Sequence, residues 1–354
     1  MQHYGGISRY FANLNAGLAE HKDVESAICT MYTENEYIKS NNFPLNNLLG
    51  NNLFHGRFSR INKWNRRFCA LQIRMNSFDV FHPTYYDPYF LGFLKKPLVL
   101  TVHDMIHENS PHLFSDAAEV IDRKKKLIER ANAIIAISNY TKNELVKFFP
   151  QFADKVTVVH HGLFPYISKT TDQTQQLSTP QRYILFVGDR WHYKNFLFFI
   201  ESISDVLRTD DTLFLICAGG GTFSIAENAL LEKLRIGDKC IQMDVTDAKL
   251  SYLYSSAILM VFPSLQEGFG LPIIEAFNNK CPIACSNNTV FPEVAGNAAE
   301  YFDPKSKGSI ITAVTNLIYD DERRSRLISN GAMRLKEFSA EKCVIDTLKI
   351  YTLL

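Results

Sequence analysis

Eight short runs dominated by apolar residues punctuate the chain: Asp79–His82, Leu98–Val102, Ala133–Ile137, Val156–Val159, Tyr183–Val187, Leu213–Ala218, Ile258–Phe262 and Pro282–Cys285. Hydrophobicity that is continuous rather than alternating marks strands covered on both faces, the condition of a parallel sheet. Helix-like segments lie between the runs, among them Ser8–Glu20, Ala117–Arg130 and Asn139–Phe149. Strands alternating with helices predict doubly wound α/β layers.

A length of 354 residues favours two such domains. The stretch Ser168–Gln181 is rich in Thr and Gln, nearly devoid of apolar residues and carries Pro180, so it reads as a linker. The expected fold is therefore two Rossmann-like doubly wound domains facing a cleft, spanning residues 1–167 and 182–338. In such sheets ligands gather at the carboxyl ends of strands.

Composition removes several classes. No apolar run reaches 18 residues, so no membrane span is expected. The N-terminus has neither a basic region nor an apolar core of the kind a signal peptide needs. Seven scattered cysteines fit a reducing cytoplasm. Cys281 and Cys285 lie close together, but no second Cys or His cluster completes a zinc site. Residues 1–163 carry 19 Lys/Arg against 15 Asp/Glu and the remainder 19 against 22, which argues against nucleic acid as a partner.

The segment Glu267-Gly268-Phe269-Gly270-Leu271-Pro272-Ile273-Ile274-Glu275 follows the Ile258–Phe262 run. It reads as a strand, a glycine-bearing loop and a helix. Gly268 and Gly270 permit close backbone approach and positive φ, and Pro272 suits the first helical turn. Free N–H groups and the helix dipole at such a start suit a diphosphate. Two carboxylates beside an anion site need other work, and accepting hydrogen bonds from hydroxyls is the natural one. The plain alternative is an ordinary strand–loop–helix turn with exposed glutamates.

The run from Pro263 to Gly270, continued through Glu275-Ala276, resembles the Glu-x7-Glu signature of retaining glycosyltransferases of the GT-B fold, family 4 type. Further similarities occur in order along nearly the whole chain. Gly5-Gly6-Ile7-Ser8-Arg9-Tyr10 resembles the family's N-terminal glycine loop, and Thr101-Val102-His103-Asp104 its histidine-bearing strand end. Val187-Gly188-Asp189-Arg190 with Lys194-Asn195 resembles its diphosphate clamp, and Pro292–Gly296 a downstream segment. The resemblance implies Arg190 and Lys194 on the diphosphate, Glu267 on the donor sugar and Glu275 on the ribose. Gly6, Gly268, Phe269, Gly270 and Leu271 would border the donor, and His103 would line the reaction centre. It also implies a C-terminal helix, residues 339–354, returning to the first domain. No cofactor and no metal are expected, because no Asp-x-Asp pair follows a strand. Two departures stand out: Asp189 separates Arg190 from Gly188, and the spacing to Lys194 is short. Only Met1–Tyr4 precede Gly5, so either the start is assigned late or the chain lacks the first strand of its N-terminal sheet.

Two further stretches invite interpretation. Phe81-His82-Pro83-Thr84-Tyr85-Tyr86-Asp87 suits sugar stacking or a plain loop equally. Phe54, Phe58, Ile61, Trp64, Phe68, Leu71 and Met75 recur at helical steps, with Arg57, Arg60, Lys63, Arg66, Arg67 and Arg74 among them and no acidic residue between Tyr37 and Phe78. This predicts an amphipathic helix with a basic face over residues 54–75. Such a helix either packs into the core with its basic face in water, or docks peripherally on the anionic inner face of a cell membrane.

The resulting expectation is a cytoplasmic hexosyltransferase. It would move a sugar, faintly favouring mannose, from a GDP- or UDP-linked donor to a glycan or lipid-linked glycan in cell-surface polysaccharide or lipopolysaccharide synthesis. The rivals are a non-catalytic nucleotide-sugar-binding scaffold and a phosphorylase or epimerase on the same fold.

Overall fold

The computed structural model describes residues 5–38, 43–164 and 178–354. The four residues before Gly5, on which the missing-strand expectation rests, lie outside them, as does the expected linker up to residue 177. The chain forms two compact units: Met1–Phe164 with Ala340–Leu354, and Pro165–Ser339. The fold is α/β, each unit built on a parallel sheet flanked by helices.

In the N-terminal unit the described strands are β1 (Val99–Val102), β2 (Ala133–Ala136) and β3 (Val156–Val158), paired in that order and all parallel. The run Asp79–His82 is a correction to the sequence reading, because among the described residues it supplies only a single bridge, Phe81 to Leu98. The Phe81 N–H donates to Pro97 O, and Phe81 O accepts from Val99 N–H. The next rung would need an N–H from residue 83, which is proline and has none.

Helix α1 (Gly6–Leu18) packs on the C-terminal helix Ala340–Thr352. Tyr10, Phe11, Leu14 and Leu18 share a core cluster with Cys343, Val344 and Ile350. The approach is close: a Cβ on Gly17 would stand 2.5 Å from Val344 Cγ2.

Helices α2 (Leu48–Phe54) and α3 (Phe58–Met75) carry the basic amphipathic stretch. Ile61, Cys69 and Ile73 are the buried residues of α3, whereas Phe58, Trp64, Leu71 and Met75 are exposed, as are Leu48, Leu49 and Leu53 before them. The expected single apolar stripe is thus split. Ile61, Cys69 and Ile73, spaced eight and four apart, share one side. Trp64, Leu71 and Met75, spaced seven and four apart, line another and stay in water. The basic face is not unbroken either: Arg66 pairs with Asp87 at 2.7 Å. No helix among the described residues is long and apolar enough to cross a membrane.

The C-terminal unit holds β4 (Arg182–Val187), β5 (Leu213–Ala218), β6 (Cys240–Met243), β7 (Leu259–Phe262), β8 (Ile283–Ser286) and β9 (Glu300–Phe302). All are parallel, in the order β6-β5-β4-β7-β8-β9. The two strands absent from the sequence reading, β6 and β9, are the edges. They are only partly buried and include Gln242 and Glu300, so neither shows the continuous apolar run of a central strand. Strand succession leaves β4 in one direction through β5 and resumes on its other side at β7. That reversal leaves a crevice at the carboxyl ends of β4 and β7, the usual ligand position in such sheets.

Candidate functional site

Two loops leave β4 and β7 side by side and are tied together by backbone and amide hydrogen bonds. Leu265 N–H donates to Tyr193 O at 2.7 Å. Asn195 Nδ2 donates to Pro263 O at 3.2 Å and to Pro304 O at 2.9 Å. Asn195 does this from a left-handed conformation, φ 60°, which asparagine tolerates better than most residues. The tie brings Lys194 Nζ to 2.6 Å from Glu267 Oε1, with the ammonium also lying over the Phe262 and Tyr193 rings. Burial acts to lower the Lys194 pKa, but the Glu267 carboxylate outweighs it and holds the group above its ordinary value. Lys194 is therefore charged at all physiological pH values.

The helix Leu271–Asn278 begins immediately after this loop. Gly270 caps it at φ 92°, and a Cβ there would meet both Ile273 and Phe262 at 3.3 Å, so glycine is required. Gly268 does not share the positive φ expected of it. Phe269 is buried with its ring edge-on to Phe338, which leaves its backbone rather than its ring for any ligand. Leu271 opens the helix. Glu275, in the second turn, is buried and accepts a hydrogen bond from Tyr254 Oη at 3.0 Å. Near Glu267, at the ends of β7 and β8, Ser264 Oγ, Asn288 Oδ1 and Thr289 Oγ1 are buried with no hydrogen-bond partner among the described residues. Unmet buried polar atoms of this kind are rare in folded proteins and call for a water, an ion or a ligand group as partner.

Arg190 departs from expectation. Its side chain is 3 % exposed and turns away from the Lys194–Glu267 pair into a structural socket. Nε donates to Glu227 Oε1 at 2.8 Å, Nη1 to Gly219 O, and Nη2 to the carbonyls of Gly220, Gly221 and Thr222. The guanidinium also lies over the Phe223 and Phe196 rings. Glu227 is itself the acid of a capping box with Ser224. Three successive glycines, 219 to 221, all have positive φ, and the Arg190 fork holds their carbonyls. Its hydrogen bonds are spent on this turn rather than directed at a diphosphate.

In the N-terminal unit, His103 follows β1 and is buried. Its backbone N–H donates to Tyr86 Oη, and its Nε2 has no partner among the described residues. His161, which follows β3, stacks on it at 5.8 Å with an interplanar angle of 15°. Tyr10 meets both rings edge-on. Below them, fully buried Lys124 donates to Glu108 at 2.9 Å and to Asp104 O at 3.0 Å, fixing the turn after His103. Burial pushes His103 down to about 3, helped by the charges of His82 and Lys124. Burial alone takes His82 to about 3 and is the main cause holding His161 well below its usual value. Gly6, the first residue of α1, lies in this unit too.

The structure thus groups Lys194, Glu267, Gly268, Phe269, Gly270, Leu271 and Glu275 in the C-terminal unit, and His103 and Gly6 in the N-terminal one. Tyr254 and His161 were not singled out from the sequence, and Asn195 and Ser264 entered only as parts of longer motifs. For His161 a signal existed: His160-His161-Gly162 follows the Val156–Val159 run much as His103 follows its own. Among the described residues no group of three or more His, Cys, Asp or Glu is placed to hold a metal ion.

Comparison with known proteins bears on the whole chain. Residues 4–164 match the family described as Glycosyltransferase Family 4, and residues 168–334 match Glycosyl transferases group 1. The chain is 28% identical over 288 residues to O-antigen chain mannosyltransferase B of Escherichia coli, covering 78% of this chain and 74% of that protein. It is 28% identical over 219 residues to O-antigen chain mannosyltransferase RfbU of Salmonella typhimurium, covering 62% of this chain and 60% of that one. Among solved structures, sucrose-phosphate synthase of Thermosynechococcus elongatus superposes with a TM-score of 0.73 at 17% identity, covering 99% of this chain and 93% of that one. Anabaena HepE in complex with UDP and glucose gives 0.67 at 16%, covering 85% and 84%.

Arg190→Ala leaves Glu227 buried without its cation. Breaking such a pair is expected to cost about 3 kcal/mol of unfolding free energy, and Arg190→Lys does not restore it because an ammonium lacks the fork. Denaturant unfolding checks both. The buried histidines predict a pH effect of definite sign. Unfolded, each takes up a proton below about 6.5; folded, His82 and His103 do so only near about 3. Stability therefore falls as pH drops from about 6.5, with up to about 1.4 kcal/mol per pH unit from each histidine. Melting curves from pH 7 to 4 test this, and His161→Asn should flatten the slope.

Proposed function

The chain belongs to the GT-B glycosyltransferases, and from that membership we propose that it transfers mannose from GDP-mannose to a hydroxyl of a lipid-linked glycan, with retention and without a metal ion. The observation that carries this reading is the Lys194–Glu267 pair at the carboxyl ends of β4 and β7, beside the glycine-capped helix start. The sugar and the setting follow the two O-antigen mannosyltransferases to which the chain is similar.

In this reading Lys194 and the backbone N–H groups around Gly268–Gly270 hold the diphosphate. Glu275 accepts from the ribose diol. Glu267 accepts from a hydroxyl of the transferred sugar while keeping Lys194 charged. The bond from the anomeric carbon to the phosphate oxygen breaks as the bond to the acceptor oxygen forms on the same face. The acceptor's proton passes to the departing phosphate. Lys194 stabilises charge that grows on that leaving group, so its ammonium does the work otherwise given to a divalent cation. His103, neutral because it is buried, offers a hydrogen bond to a reacting hydroxyl.

The acceptor suggests a place for the protein. Exposed Leu48, Leu49, Leu53, Trp64, Leu71 and Met75 adjoin exposed Arg60, Lys63, Arg67 and Arg74 on α2 and α3. Apolar side chains beside cations suit the interface of an anionic bilayer, and a lipid-linked glycan would be met there.

Incubation with GDP-mannose and a lipid-diphosphate glycan should release GDP and give a product whose anomeric configuration, read by NMR, matches the donor. An inverted product would overturn the retaining step. Lys194→Ala should lower kcat by about 10²–10³-fold, the usual loss for one preorganised charge contact. EDTA should leave the rate unchanged, and its loss there would end the metal-free reading. Sedimentation with phosphatidylglycerol vesicles should exceed that with phosphatidylcholine. Reversing Arg60, Lys63 and Arg67 to Glu should weaken it at least about tenfold, given roughly 1 kcal/mol per basic residue; unchanged sedimentation would remove the membrane assignment.

A further inference from the structure

One hydrogen-bonded line runs from the C-terminal helix to the sheet inside the N-terminal unit. Tyr351 Oη lies 2.6 Å from His82 Nδ1, His82 Nε2 lies 2.8 Å from Thr101 Oγ1, and Thr101 Oγ1 lies 3.5 Å from Tyr10 Oη. A neutral imidazole has one donor and one acceptor nitrogen. The protons can therefore be ordered from Tyr351 to Tyr10 or from Tyr10 to Tyr351. In either sense His82 and Thr101 each donate once and accept once along the line.

The line ends against His103. Thr101 stands on β1 two residues before it. The Tyr10 ring, at the far end, meets His103 edge-on at 5.5 Å. Phe11 packs on His82 at 5.1 Å and on His103 at 6.0 Å. His82 is thus held by two hydroxyls and by the Phe11 and Tyr351 rings, and Phe11 also touches His103. The Tyr351 hydroxyl is not what docks the C-terminal helix, because Val344 and Ile350 already bury it against α1 in the shared apolar cluster.

We propose that the Tyr351–His82–Thr101 line positions His103, so that the C-terminal helix belongs to the acceptor-side machinery of the N-terminal unit. His82 and Tyr351 are positioning residues: they act through Thr101 and Tyr10. The proposal rests on the reading that His103 meets a reacting hydroxyl. Displacement of such a group by a fraction of an ångström is enough to slow transfer while leaving the fold intact.

Three variants test it: Tyr351→Phe, His82→Leu and the double variant. Each single change should lower kcat about tenfold, within the range a small misplacement costs, with the KM for the nucleotide-sugar unchanged. The double variant should lose no more than His82→Leu alone, because the residues act in one line. In histidine-labelled protein the ring signals of His103 should shift in Tyr351→Phe while the melting midpoint stays within a few degrees of wild type. Unchanged kcat with unmoved His103 signals would overturn the proposal, as would losses that multiply in the double variant. If the wild-type protein transfers no sugar, the proposed reaction fails instead, and the His103 signals alone decide whether the line positions that ring.

Discussion

Everything at the candidate donor site depends on β4 being hydrogen-bonded to β5 on one side and to β7 on the other. Because all strands run parallel, their carboxyl ends share one edge of the sheet. Because succession reverses at β4, the loops after β4 and β7 leave that edge as neighbours. The hydrogen bonds from Leu265 to Tyr193 and from Asn195 to Pro263 then close the gap between them. A lysine and a glutamate 73 residues apart in sequence become an ion pair without either loop being long.

The two cations of the β4 loop have different fates, and side-chain chemistry accounts for it. Arg190 is a planar fork with several donors in fixed directions, and it meets a ring of four consecutive carbonyls and one carboxylate. A glycine run at positive φ turns those carbonyls toward one point, which is what such a fork needs. Lys194 is a compact charge on a flexible stem, and its side chain remains 20 % exposed. One cation shapes the loop and the other stays available to a partner. Spacing alone could not separate them, since both follow the same strand.

Much of this was legible in the sequence where burial is complete. Leu213–Ala218 and Ala117–Arg130 appear with the bounds their apolar patterns imply. The loop and helix from Glu267 to Glu275 follow from glycine, proline and the preceding apolar run. Legibility fails where a residue's role depends on a partner distant in sequence. Arg190 reads, by resemblance, as a diphosphate clamp until Glu227 and the glycine turn are seen around it. Trp64, Leu71 and Met75 read as one apolar stripe with Ile61 because their spacing is helical, yet Ile61 is buried with Cys69 and Ile73 while those three are exposed. β6 and β9 are silent because edge strands need no continuous apolar run.

The return of Ala340–Thr352 to the first unit orders the events of synthesis. The C-terminal unit occupies the middle of the chain, so it is synthesised before residues 340–354. Translated first, the N-terminal unit is completed last. Until Val344 seats against Gly17 and Tyr351 reaches His82, the apolar side of α1 lacks its cover and one buried imidazole lacks a hydroxyl. A chain that ends near residue 339 therefore leaves the apolar side of a single helix in water.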